Sequence, residues 1–373
     1  MNSQKQIHCP HFRDCSGCTL DEDVNHPPVL KEVEAFFKKQ EVNFSYFSGQ
    51  VTEWRYRAKL AIRGSCENPK IGLYEAGTHE VVNIPFCRVH HPHINQAVEK
   101  IRRWVQNCRI QPYNEKTREG VLRYVQCVVE RSSGKVQLTL VINASRLDAC
   151  SIDWMALVGE DSLWHSLWIN LNDTPTNTIF GKDWQLIKGE EYLWEMIAGT
   201  WVCFHPANFA QANLSVFEKL LVDLGQEVPK NVNIVEYYAG VGVIGFSLAD
   251  NARSVQACEI NPWAEKSFNQ TMLRQEKKNC SFYKGLATDY LHLLPTSDVI
   301  LVDPPRKGLD RALLKALLEV EKGKDLWYIS CGWPSFKRDC EELLERWDLI
   351  NARAYLFFPG TDHLEIMAHL KSK

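Results

Sequence analysis

The chain has 373 residues, 45% of them hydrophobic, which is enough for two domains with a buried core each. A formal net charge of -3 and a pI near 6.5 exclude a globally basic nucleic-acid binder, so contact with nucleic acid must come from local patches. No apolar leader or long apolar run occurs, so a membrane protein is not expected and a cytoplasmic one is.

In chain order, Pro27-Pro28 start a predicted helix over 29–40, with Val29, Val33, Phe36 and Phe37 on one face. From about 50 to 205, short alternating runs such as RAKLAIRG, EVVNIPF, LRYVQCVVER and KVQLTLVINA predict a mostly β region. Beyond 209, helical segments alternate with the apolar runs NIVEYYAG, SVQACEI, DVILVDPP and DLWYISC, the signature of a parallel, doubly wound sheet. The expected domains are therefore 1–205 and 206–373, with the helix 29–40 free to pack on the second.

Thirteen cysteines without a secretory signal argue against a disulfide scaffold. Cys108, Cys127, Cys150, Cys203, Cys258 and Cys280 stand in apolar or mixed runs and read as small buried hydrophobes. On one candidate strand Arg55, Arg57, Lys59 and Arg63 alternate with Trp54 and Tyr56. That mix suits phosphate neutralisation and base stacking as well as it suits a solvated strand face.

The segment NIVEYYAGVGVIGFSLA predicts a strand, a turn at Ala239-Gly240-Val241-Gly242 and a helix, with glycines that let a ligand approach the backbone. The next strand ends in Glu259, a carboxylate placed to accept both hydroxyls of a ribose, so a nucleoside-bearing cofactor is expected. Gly240, Gly242 and Gly245 also fit a dinucleotide spacing, which leaves NAD open. The strand VILVDPPRKGL puts Arg306 where amino-group methyltransferases carry a stacking aromatic, and this argues for a different acceptor. DLWYIS delivers Cys331 to the carboxyl end of the sheet just before a helix, where dipole and cations would depress its pKa. Near the far end, Glu365 lies between apolar residues, where burial would raise its pKa. A thiolate and a carboxylate are what C5 methylation of a pyrimidine needs, one to add at C6 and one to remove the C5 proton.

Together these motifs resemble the uridine-C5 RNA methyltransferase family. FHPANFAQAN is similar to its Pro-x-x-Phe-x-Gln-x-Asn signature, EYYAGVGVIGF to its cofactor turn, LVDPPRKGL to its most specific motif, and SCGWPSFKRD and DHLE to its nucleophile and base motifs. The resemblance implies a class I, S-adenosylmethionine-dependent α/β domain joined to a mostly β domain. It gives cofactor roles to Gln211, Tyr238, Gly240, Gly242, Glu259 and Asp303 and catalytic roles to Cys331 and Glu365; RNA contact is expected from Arg57 and Lys59 on the basic strand and from Arg306, which adjoins the cofactor site. In the iron-sulfur subgroup three N-terminal cysteines and a later one bind a 4Fe-4S cluster; Cys9, Cys15 and Cys18 show the matching spacing and Cys87 follows VVNIPF. Zinc is the competing occupant, with His8, His11, His90 or His91 as extra ligands. The short members of that subgroup imply a monomer acting on a 23S rRNA uridine. A tRNA uridine, a cytosine-C5 substrate, or a catalytically silent RNA-binding relative are the alternatives. Two departures stand out: Gly332 and Trp333 lengthen the usual Ser-Cys-Asn-Pro loop, and Val243 replaces a frequent Asn.

Overall fold

The computed structural model describes residues 6–176 and 178–373, and these divide into two compact units. The first comprises the described part of Met1–Glu22 with Gln50–Leu193 and Ala210–Ala212; the second comprises Asp23–Gly49, Trp194–Phe209 and Asn213–Lys373.

The first unit is built on a seven-stranded sheet ordered Val81–Asn83, Pro69–Tyr74, Arg57–Gly64, Leu122–Val129, Val136–Ile142, Trp164–Leu171, Asp183–Gly189. Its neighbours are antiparallel except Val136–Ile142 and Trp164–Leu171. Period-two alternation turns Ala58, Leu60 and Ile62 to one face. There they pack with Ile94, Ala97, Val98, Ile101, Trp104 and Val105 of the helix Pro92–Asn107. That helix lies inside the stretch expected to be mostly β; its apolar residues recur at helical spacing, and Pro92 at its first turn is compatible with a helix start. Two of the cysteines read as buried depart from that expectation: Cys108 is the exposed C-cap of this helix and Cys150 is half-buried after a short 3-10 turn.

The second unit carries an eight-stranded sheet ordered Asn43–Ser48, Trp347–Leu356, Glu365–Ser372, Asp325–Ser330, Val299–Val302, Asn233–Tyr237, Ser254–Glu259, Cys280–Lys284. Pairing is parallel except for Glu365–Ser372, which runs antiparallel to both its neighbours. The carboxyl ends of the parallel strands and the first residue of Glu365–Ser372 therefore share one edge. Strands 299–302 and 325–330 are buried along their whole length, as expected for a sheet covered on both faces. The helix Pro28–Lys39 belongs to this unit and buries Leu30, Val33, Phe36 and Phe37, each worth roughly 1.5–3 kcal/mol of apolar transfer. No described helix is long and apolar enough to cross a membrane.

Candidate active site

The Gly-rich turn follows the strand Asn233–Tyr237 in backbone that side chains rarely adopt: φ is 61° at Tyr238, 55° at Gly240 and 80° at Gly242. Tyr238 tolerates this because its hydroxyl is held by Asp310, donating to Oδ2 at 3.1 Å and accepting from the Asp310 N–H at 3.1 Å. At Gly242 an added Cβ would lie 2.6 Å from the Phe268 ring. Gly242→Ala is therefore expected to cost about 2 kcal/mol or more, combining strain with a clash against a fully buried ring, and a lowered urea midpoint would record it.

Glu259 ends the neighbouring strand and bridges the turn, its Oε2 accepting from the Gly240 N–H at 3.0 Å and its Oε1 from the Asn261 N–H at 2.8 Å. Just beyond this acid, two large apolar side chains stay in solvent, Ile260 at 57% and Leu286 at 49% exposure. They follow adjacent strands whose register pairs Glu259 with Lys284. The sequence reading missed both; the signal was an apolar residue close behind each polar strand end, Ile260 directly after Glu259 and Leu286 one glycine beyond Lys284. Beneath the turn, Glu236 is buried and accepts from the Gly245 N–H at 2.9 Å. Burial, reinforced by the charges of Asp303 and Glu259, raises its pKa to about 8.

Asp303, Arg306, Cys331 and Glu365 meet at the same edge. Asp303 follows Val299–Val302 and burial raises its pKa to about 7. Cys331 follows Asp325–Ser330, and the register Ser330↔Ile366, continued by one step, sets it opposite Glu365. Glu365, at 3% exposure, has its pKa pushed well above the usual carboxylate range by burial and by Asp303, with Arg306 opposing. The expectation of a depressed thiol pKa at Cys331 is corrected: burial first, then the Glu365 and Asp303 charges, raise it to about 11, and Arg306 offsets only part. Low dielectric and two nearby carboxyls outweigh the helix that begins at Trp333. Alkylation of Cys331 by iodoacetamide, followed by peptide mass spectrometry, is accordingly expected to keep accelerating up to about pH 11; a plateau near pH 8.5 would contradict this environment.

The lengthened loop after Cys331 is absorbed by packing. Trp333 is buried 5.4 Å from the Phe36 ring, and its indole N–H donates to Glu32 at 3.3 Å. A Cβ at Gly332 would lie 2.8 Å from the Arg306 carbonyl oxygen, so only glycine lets the two loops come this close. Ser335 donates to that same carbonyl at 2.8 Å, while Asp339 accepts from the Leu309 N–H and from the Tyr328 hydroxyl, each at 2.8 Å. Ser335 and Asp339 thus position the loop bearing Arg306, roles the sequence did not reveal because their partners lie about 30 residues away.

The remaining candidates lie in the first unit. Gln211 belongs to the short segment Ala210–Ala212. Arg57 donates twice to the Gln126 side chain, at 3.1 and 2.8 Å, and Lys59 is exposed, its ammonium 4.6 Å above the Phe180 ring. Arg63, expected on the same basic strand, is instead buried, pairs with Glu115 and lies over the rings of Tyr74, Tyr113 and Tyr124. It is structural rather than a phosphate ligand.

Cys9, Cys15, Cys18 and Cys87 line one cavity of ≈ 120 Å³. Burial raises the pKa of Cys15, Cys18 and Cys87, that of Cys18 to about 12, and the other cysteines of the group add to it. Backbone N–H groups already point at two of the sulfurs: Gly17 donates to Cys15 Sγ at 3.3 Å, and Val89 and His90 donate to Cys87. Among the described residues no three His, Cys, Asp or Glu side chains converge closely enough to hold a single metal ion. Of the histidines, His11 and His90 line the cavity, His8 is exposed, and His91 caps the helix Pro92–Asn107 by accepting from the His93 N–H.

Residues 291–373 match the model of a family described as tRNA (Uracil-5-)-methyltransferase. An RNA methyltransferase of Protochlamydia amoebophila (strain UWE25) is 43% identical over 376 residues, covering 98% of this chain and 97% of the relative. One from Halalkalibacterium halodurans is 30% identical over 382 residues, covering 96% and 81%. The crystal structure of Pyrococcus abyssi tRNA (uracil-54, C5)-methyltransferase in complex with S-adenosyl-L-homocysteine superposes with a TM-score of 0.76 at 25% identity, over 96% of this chain and 86% of that one. The fold is that of a class I methyltransferase. The chain belongs to the uracil-C5 RNA methyltransferase family.

Proposed function

We propose that this enzyme methylates C5 of a uridine in 23S rRNA with S-adenosylmethionine, using Cys331 as nucleophile and Glu365 as base. The observation that carries this reading is the register setting Cys331 opposite a buried Glu365 at the edge where Asp303 and the Gly-rich turn also end. When bound, the cofactor supplies an electrophilic methyl group. Glu259 would receive its ribose hydroxyls, the exposed Ile260 and Leu286 would offer an apolar surface to its base, and Gly240 and Gly242 would leave the backbone open beside it. The Cys331 thiol gives its proton to solvent and the thiolate adds to C6 of the uracil; the displaced electron pair lets C5 take the methyl group, breaking its bond to the sulfonium sulfur, which departs as a neutral thioether. Glu365 then takes the proton from C5, the S–C6 bond breaks, and the thiolate leaves. A base with a raised pKa suits that last proton transfer, and Arg306 beside both groups offsets the negative charge that the adduct adds.

For the four-cysteine cavity we favour a 4Fe-4S cluster over zinc: four thiol side chains line it, the number such a cluster takes, and the amides directed at Cys15 and Cys87 are of the kind that stabilise ligating sulfur. Cys9, Cys15, Cys18 and Cys87 would hold it, and the cluster would supply a rigid staple for the N-terminal segment. The 23S assignment rests on this cysteine pattern. The Pyrococcus abyssi neighbour favours a second reading, a tRNA uridine. Incubating the enzyme with labelled cofactor and either 23S rRNA or tRNA, then digesting to nucleosides, separates the two. Labelled 5-methyluridine from 23S rRNA supports the first, the same product from tRNA alone the second, and 5-methylcytidine neither.

A further inference from the structure

The wall of the four-cysteine cavity contains a half-buried cation, Arg55. Arg55 is fixed in place by its backbone, donating to the Val89 carbonyl at 2.8 Å and accepting from the His91 N–H at 2.9 Å, a bridge to the segment that carries Cys87 and His90. Its guanidinium carbon lies 4.7 Å from the centre of the Trp54 ring, so the side chain is held by stacking as well. Arg55 lines the cavity with Cys9, Cys15, Cys18 and Cys87. Lys59 is a second cation on that wall, an exposed side chain whose ammonium lies 4.6 Å above the Phe180 ring. Asn95 locks the neighbouring ligand, accepting from the Cys87 N–H and donating to its carbonyl, both at 3.1 Å. The thiol positions and the cation are thus held relative to one another by backbone hydrogen bonds.

We propose that Arg55 sets the reduction potential of the cluster held by Cys9, Cys15, Cys18 and Cys87, by placing a permanent positive charge against it. This inference rests on the cluster reading given above. One-electron reduction adds a negative charge to a group already carrying four thiolates, and a guanidinium, which stays protonated in proteins, stabilises the reduced state more than the oxidised one. Removing the charge should therefore shift the potential downward. Arg55 acts through the cluster's electrostatics and touches no reacting atom of the methyl transfer.

The test is a mediated potentiometric titration with dithionite of the full-length protein purified anaerobically, monitored by electron paramagnetic resonance, with iron per chain as the loading control. Arg55→Gln is expected to lower the midpoint by at least the tenfold change in the oxidised-to-reduced ratio that corresponds to about 59 mV for one electron, while Arg55→Lys recovers most of the shift. A fully loaded Arg55→Gln protein at the wild-type potential overturns the inference and leaves the cluster reading intact. Loss of the cluster from both variants also overturns it, since a structural role would then suffice. Loss from Arg55→Gln alone overturns it as well, since the charge would then retain the cluster rather than set its potential. Wild-type protein without iron overturns the cluster reading itself and the inference with it.

Discussion

Cys331→Ala is expected to lower methyl transfer by roughly 10⁴- to 10⁶-fold, the range seen when the nucleophile of a covalent mechanism is removed. Uracil C5 is too weakly nucleophilic to attack a sulfonium methyl unaided, and among the side chains gathered at this edge Cys331 is the one that can add to C6. The substitution removes a half-buried sulfur at a strand end, so the fold should survive, with cofactor binding unchanged in equilibrium dialysis. RNA containing 5-fluorouridine should form a denaturation-resistant complex with the wild type and none with the variant. A persistent complex would assign the nucleophile to another residue.

Glu365→Gln should separate the two halves of the reaction. The amide keeps the volume of the buried carboxyl but cannot accept the C5 proton, so methylated RNA should accumulate still bonded to Cys331 while turnover falls about 10²- to 10⁴-fold. Gel shift under denaturing conditions, with labelled cofactor as tracer, reads this directly; free methylated RNA at the wild-type rate would remove Glu365 from the mechanism. Stability offers a second signature. The folded protein binds the Glu365 proton more tightly than the unfolded chain does, so this residue costs stability increasingly as pH rises above the ordinary carboxylate pKa. Glu365→Gln is therefore expected to be at least as stable as the wild type at pH 8, and indistinguishable from it near pH 4.

Much of the second unit can be read from residues alone because strong local patterns meet there. VILV and DLWYIS are uninterrupted apolar runs ended by polar residues, and such runs mark buried parallel strands whose ends form ligand sites. The placement of Asp303, Cys331 and Glu259 at strand ends followed from that. The strand Asn43–Ser48 was not anticipated: NFSYFS lies at the sheet edge, mostly in contact with solvent, and so lacks a clear alternating pattern. The helix Pro92–Asn107 had a usable periodicity that the surrounding short strands obscured. Arg63 looked like its neighbours Arg57 and Lys59 because all three share a strand face; the distant Glu115 and three tyrosines that capture it are invisible in a local reading. The Cys331 environment failed for a related reason. A dipole can be inferred from the next helix, whereas the carboxyls of Glu365 and Asp303 arrive through sheet pairing.

The reversed strand Glu365–Ser372 has a consequence for how the enzyme matures. It follows its two sheet neighbours in the chain yet inserts between them. As the polypeptide leaves the ribosome, Asp325–Ser330 and Trp347–Leu356 must therefore wait with facing edges unpaired, a state open to association with other chains. The same insertion brings in Glu365, so completion of the sheet and arrival of the proposed base are one event.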